Sequence, residues 1–254
     1  MTQNPSFFMR DQLDPEPAML NDATPLEDYG HNLTLLAKVG IFSPLAGQEA
    51  VVDRVFQVLQ RKNKNSPVIL SSDESRRWAI VAEVIRRMAM GDVPEAFRSW
   101  QVIRLDYEAL FTNLSDDTLT REERQERKFA SLREKLAQAE PGSGEESALL
   151  DELFFWPPLE EWIAPTMVLE RLQSMLIAMH QAESSFVLYV DHFHRLVGGE
   201  PESYPINAVP LLKPALARGQ IQLIGACTLE QYRQHIEWDA AMQRRCQEIC
   251  LPEG

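Results

Sequence analysis

Short apolar runs recur along the chain: "PVIL" at 67–70, "QVIRL" at 101–105, "SFVLYV" at 185–190 and "IQLIGA" at 221–226. Between them, at 78–90, 167–182 and 205–218, apolar residues return at three- and four-residue spacing. Short continuous runs read as strands buried on both faces, and the spaced stretches as helices that bury one side. Strands alternating with helices predict βαβ units and a parallel sheet. "EICL" near the end supplies a fifth strand. Upstream, "QEAVVDRVFQVLQRK" sets Val51, Val55, Phe56, Val58 and Leu59 on one helical stripe, and "EDYGHNLTLLAKVG" reads as one short amphipathic helix closed by Gly40.

Two regions break this rhythm. Residues 1–25 mix Pro, Asp, Asn and Glu with few apolar positions, which predicts a mobile tail. Its Phe7, Phe8 and Met9 read either as a partner-docking cluster or as loose packing on the chain's own domain. Residues 112–165 hold a charged helical run, "SDDTLTREERQERKFASLREKLAQAE", a "PGSGEES" break and then "LLDELFFWPPLEEWIAP". Phe154, Phe155, Trp156 and Trp162 there are either a satellite cluster folded on the core or an aromatic docking surface. The expected organisation is a tail at 1–25 and one domain at 26–254, interrupted by an insertion at 112–165.

Composition narrows the partners. The 254 residues carry a net charge of −13, and such a surface repels nucleic acid and anionic membranes, which are held through Lys and Arg. The first twenty residues lack the basic region and long apolar run expected of a signal peptide, and no stretch reaches the roughly 18 apolar residues of a membrane span. Cys227, Cys246 and Cys250 form no C-x-x-C pair and read as buried, reduced residues of a cytoplasmic protein.

The chemistry question centres on "PVILSSDESRRWAIVAEVI" at 67–85, a strand, a polar loop and a helix. In nucleotide-binding proteins such a loop is rich in glycine, so that backbone N–H groups approach the phosphates. Here the loop has no glycine and carries Asp73 and Glu74.

Several stretches resemble the first ATPase module of Clp-type AAA+ unfoldases, ring chaperones that thread proteins through a pore. They are "LEDYGHNLTLLAKVG" (26–40), "LAGQEAVVDRVFQVLQRKNKNSPVIL" (45–70), "GDVPEAF" (91–97), "FVLYVDHFHRLVGG" (186–199), "LLKPALARGQIQLIGACTLEQYRQHIEWDAAMQRRCQ" (211–247) and "LPEG" (251–254). The resemblance implies a three-layer α/β, P-loop NTPase-like fold with a five-stranded parallel sheet. The family continues beyond this point into a small helical lid, which is expected to be absent here.

By the same resemblance, Ser71, Glu74 and Arg76 stand at the family's P-loop glycines, with Ser72, Asp73 and Ser75 between them. Arg77 stands for the phosphate-binding lysine and Trp78 for the hydroxyl that holds Mg²⁺. Asp191 matches the Mg²⁺-positioning aspartate, and His192 replaces the glutamate that activates water. Ala164 falls where the family has an aromatic pore residue, Thr228 matches its γ-phosphate sensor, and Arg244 and Arg245 match arginines that reach a neighbouring subunit's nucleotide. A plainer role for those arginines is to cap carbonyls or pair with Asp239.

The expectations are therefore no catalytic residue, no nucleotide at 71–78 and no ATP or Mg²⁺ cofactor. Asp191, His192 and His194 stand close enough to suggest a zinc set, but by the resemblance the position of His194 is histidine in the family without binding metal, and no metal is expected. The function expected is a non-catalytic, pseudo-ATPase interaction or regulatory protein with a protein partner, such as a Clp-type ring. The alternatives are a weak or partner-completed ATP-binding subunit, or a remnant without a role of its own.

Overall fold

The computed structural model describes residues 25–111, 164–198, 206–219 and 221–252. Residues 1–24 of the expected tail and Phe154, Phe155, Trp156 and Trp162 lie outside the described residues, as does nearly all of the expected insertion, and Pro25 begins the first helix.

In chain order the helices are α1 (Pro25–Tyr29), α2 (Leu33–Lys38), α3 (Glu49–Leu59), α4 (Glu74–Met90), α5 (Tyr107–Phe111), α6 (Pro165–Gln181), α7 (His194–Val197), α8 (Val209–Ala217), α9 (Leu229–Gln231) and α10 (Ala240–Gln243). The strands are β1 (Gly30–Asn32), β2 (Ser66–Leu70), β3 (Gln101–Leu105), β4 (Phe186–Val190), β5 (Ile221–Cys227) and β6 (Cys246–Cys250). They form one sheet in the order β1-β3-β4-β5-β2-β6. The five predicted strands are all present and parallel, with Val68 opposite Gly225 and Leu70 opposite Cys250.

Successive strand residues point to opposite faces, and each face is covered. Val68, Leu70, Ile103 and Leu188 join Val168, Leu172 and Met175 of α6 in one core. Ile69, Val102, Val187 and Ile224 join Val52, Val55 and Phe56 of α3 and Val81, Val84 and Ile85 of α4 in the other. That is why β2 is buried at every position and reads as an unbroken apolar run.

Three local expectations change. The helix expected across 27–40 divides into α1 and α2 around β1, which adds an antiparallel edge strand on β3. Gly30 sits against β3 so closely that a Cβ there would come within 2.6 Å of Ile103 Cγ2 and 2.8 Å of the Leu26 carbonyl oxygen. Asn32 then starts α2 by accepting from the Leu35 N–H at 3.2 Å. On α3 the buried stripe takes Val52 in place of Val51. Among the cysteines, Cys227 and Cys246 are buried but Cys250 is exposed. No helical lid lies among the described residues.

The topology also fixes where a site must lie. From β2 the chain leaves through α4 on one face towards β3, whereas from β5 it leaves through α9 and α10 on the other face towards β6. The carboxyl ends of β2 and β5 therefore flank a switch point, the crevice in which open α/β sheets place ligands. Both 71–78 and Thr228 stand there.

Candidate functional site

The loop after β2 closes on itself. Asp73 caps α4, its carboxylate accepting from the Arg76 N–H at 3.2 Å, and its own N–H donates to Ser71 Oγ at 3.1 Å. A carboxylate thus occupies the positive end of the helix, where backbone N–H groups favour an anion. The helix begins at Glu74, a turn earlier than expected, and ends at Gly91, whose φ of 74° lets the Asp92 N–H return to the Arg87 carbonyl at 2.9 Å.

Arg77 turns inward, donating to the Ser71 carbonyl at 2.6 Å and standing 4.0 Å from an Asp191 oxygen. Both side chains are nearly inaccessible. Asp191 Oδ1 also accepts the His192 N–H at 2.8 Å, and the Tyr107 hydroxyl donates to the Asp191 carbonyl. Trp78 is buried in the α3/α4 core, with ring centroids 5.7 Å from Phe42 and 6.1 Å from Tyr189. It is a packing residue with no oxygen to offer a hard cation.

A second link lies beside the first. His192 Nε2 is 3.4 Å from Glu74 Oε1. The hydrogen bond from His192 outweighs partial burial and holds the Glu74 carboxyl below its usual range. His192 has a φ of 44°, in the left-handed region that a residue with a Cβ seldom adopts. Ligand atoms of Glu74, Asp191 and His192 lie within 4.8 Å of one another, so the metal-capable set contains Glu74 and excludes His194. His194 faces His235 instead, and burial, reinforced by the positive groups around it, pushes its imidazole down to about 3.

Thr228 closes a capping box: its hydroxyl accepts from the Gln231 N–H at 3.2 Å, and its N–H donates to Gln231 Oε1 at 3.0 Å. Ala164 is exposed just ahead of α6. Arg244 and Arg245 lie just before β6, at the amino ends of the strands, whereas 71–78 follows the carboxyl end of the neighbouring β2. Asp239 is not their partner, since its carboxylate accepts from the Ala241 and Met242 N–H groups at 2.8 and 2.9 Å.

The structure adds residues that sequence reasoning passed over. Arg104 is 1% exposed, beneath the Tyr107 ring, and a charge inside the apolar "QVIRL" run was the available signal. Trp238 is 81% exposed in a segment read only for its arginines. Glu83 is a third, its signal the Arg86–Arg87 pair one helical turn later.

Residues 45–149 match the family described as the SMAX1 nucleotide binding domain. The chain is 34% identical over 233 residues to the chloroplastic chaperone protein ClpC1 of Arabidopsis thaliana, covering 92% of this chain and 20% of that protein. It is 34% identical over 228 residues to the chloroplastic "ATP-dependent Clp protease ATP-binding subunit ClpA homolog CD4B" of Solanum lycopersicum, covering 90% and 19%. Among solved structures, Hsp104 with ATPγS and FITC-casein superposes with a TM-score of 0.61 at 25% identity, covering 91% of this chain and 32% of that one. The sheet and its coverings thus define an AAA+ α/β domain. Within that class, the chain is a Clp-type module related to the first nucleotide-binding module of these chaperones. It spans about a fifth of the length of the curated relatives it matches. Among the described residues, no helix is long and apolar enough to cross a membrane.

These relatives correct the expectation of no ATP or Mg²⁺ cofactor. One is named an ATP-binding subunit, and the Hsp104 structure holds ATPγS. The physical reason is that an anion site at a helix N-terminus is built largely from backbone N–H groups, which a reading of side chains does not weigh. In this arrangement Asp73 caps the helix, Arg77 is turned to Ser71 and Asp191, and Trp78 is core.

Proposed function

We propose that the chain is a non-hydrolysing Clp-type AAA+ subunit or regulator, cytoplasmic, that engages a protein partner of the ring-ATPase kind. The observation that carries this reading is the double link between α4 and the end of β4. Arg77 faces Asp191 and Glu74 faces His192, so the groups standing at the lysine, magnesium and water-activating positions are engaged with one another. An imidazole at 192 lacks the fixed negative charge that the family places there.

Engagement is assigned to surfaces away from the loop. Arg244 is exposed and Arg245 half-buried, which suits arginines that act on a neighbouring subunit's nucleotide. An arginine supplied in trans is worth on the order of 10³–10⁵ in rate. Trp238, a few residues ahead, offers an exposed aromatic anchor of the kind that concentrates binding energy.

The test is to mix the purified chain with a Clp-type ring and follow the ring's ATP turnover. The wild-type chain changes the ring's rate, and the Arg244→Ala/Arg245→Ala variant does not. An unchanged ring rate with the wild-type chain, together with no co-sedimentation, refutes the reading. A second reading, a subunit whose ATP site a partner completes, is favoured by the retained Thr228 cap beside the α4 terminus. It requires ATP binding to appear only in the mixture.

A further inference from the structure

We infer that this chain carries a nucleotide-independent site for a zinc-class cation, formed by Glu74, Asp191 and His192 where α4 begins and β4 ends. Ligand atoms of the three side chains lie within 4.8 Å of one another. Among the described residues, no other group of three His, Cys, Asp or Glu side chains converges in this way. His192 Nε2 stands 3.4 Å from Glu74 Oε1 and 4.0 Å from Asp191 Oδ2. Zinc holds nitrogen and oxygen ligands at about 2.0–2.2 Å, so two ligands on a tetrahedral ion stand about 3.3–3.6 Å apart. The Glu74–His192 spacing already meets that, and Asp191 has only a few tenths of an ångström to close.

The fold builds this convergence. The strand order sets β5 alone between β4 and β2, so the end of β4 and the first turn of α4 meet across it. Asp191 Oδ1 accepts the His192 N–H at 2.8 Å and faces Arg77, which leaves Oδ2 to the His192 ring. The φ of 44° at His192 turns the chain sharply after Asp191, and its imidazole comes back to both carboxylates. Asp191 is 3% exposed, but His192 and Glu74 are open enough to solvent for an ion to enter. Two carboxylates this close repel each other unless a proton or a cation stands between them. Asp73, capping α4, offsets the positive helix end that would otherwise oppose a cation.

The chemistry separates this site from the family's magnesium. Mg²⁺ demands an octahedron of oxygen ligands and draws most of them from water and phosphates, whereas an imidazole nitrogen with two carboxylates suits zinc and its neighbours in the first transition row. Glu74 stands where the family has a P-loop glycine and His192 where it has a glutamate, so two of the three ligands are departures from the family. Three protein ligands leave a fourth position open to water. The inference shares the Glu74–His192 contact with the proposed function. Binding is nevertheless a property of the isolated chain and requires neither a ring nor a nucleotide.

The experiment is isothermal titration of the full chain with Zn²⁺ and, separately, with Mg²⁺, in the absence of nucleotide. A Cys250→Ser parent removes the exposed thiol. Glu74→Gln and His192→Asn each delete one ligand from that parent, Asn tolerating the positive φ at 192. His180→Gln removes a half-buried histidine on α6 as a control, and thermal melts in chelator establish folding of each variant. One Zn²⁺ per chain is expected, with affinity lowered about tenfold or more in each ligand variant and kept in His180→Gln. Zn²⁺ should raise the thermal midpoint of the parent but not of His192→Asn. X-ray absorption at the zinc edge should show nitrogen and oxygen at about 2.0–2.2 Å and no sulfur at about 2.3 Å. The inference is overturned by absence of saturable Zn²⁺ binding, by equal affinity in either folded ligand variant, by sulfur around the ion, or by Mg²⁺ displacing Zn²⁺ at equal concentration. A chain that binds no zinc yet changes a ring's ATP turnover refutes this inference alone, and the reverse result refutes the proposed function alone.

Discussion

The Arg77 guanidinium lies 4.0 Å from the Asp191 carboxylate, with both side chains almost fully buried, and so ties the first turn of α4 to the end of β4. The neighbouring Glu74–His192 contact joins the same two elements, but there the side chains are 45% and 22% exposed. Water screens the second contact and leaves the first to act at low dielectric. The buried pair is therefore the stronger of the two links.

Removing one partner of that pair separates their contributions. Arg77→Met leaves Asp191 charged and buried, and a loss of about 3 kcal/mol is expected from urea unfolding. Glu74→Gln is expected to cost less than about 1 kcal/mol. Equal costs for the two variants would show that the assignment of strength is wrong.

Trp78 is predicted to be structural. Trp78→Thr returns a hydroxyl at the family's metal-binding position but empties the space against Phe42 and Tyr189. A loss of about 3–5 kcal/mol is expected, read as a lower thermal midpoint, with no gain of Mg²⁺ affinity by titration.

Glu83 predicts an acid transition. Burial alone would raise its pKa, but hydrogen bonds from Arg86, Arg87 and the Leu45 N–H outweigh burial and lower it from 4.5 to about 2. A depressed carboxyl stabilises the fold above its unfolded pKa, and that contribution disappears as pH falls from 4.5 towards 2. The difference corresponds to an upper bound of roughly 3–4 kcal/mol. Glu83→Gln should flatten the pH dependence of unfolding between those limits, and an unchanged slope would refute the assignment.

The five parallel strands were legible because burial on both faces leaves runs such as "PVIL" and "FVLYV" with no polar residue inside them. Strand β1 was not, since Gly-His-Asn has no apolar signature and its pairing is imposed by β3. The site was legible in kind, because a loop without glycine that holds Asp73 and Glu74 is visible in the sequence. Its geometry was not. Arg77 meets Asp191, and Glu74 meets His192, only because the strand order sets β5 alone between β2 and β4. The cofactor expectation weighed the loop's side chains and not the backbone N–H groups of a helix N-terminus, whereas one relative is named an ATP-binding subunit and the Hsp104 structure holds ATPγS.

The central claim, that Arg77–Asp191 and Glu74–His192 hold the chain in a non-hydrolysing arrangement, is tested most directly by phosphate release. Radiolabelled ATP and Mg²⁺ are mixed with excess purified chain, and single-turnover release is followed beside an Asp191→Asn variant. The account predicts that both release phosphate at the background rate. Release above background by the wild-type chain, abolished in Asp191→Asn, would contradict it.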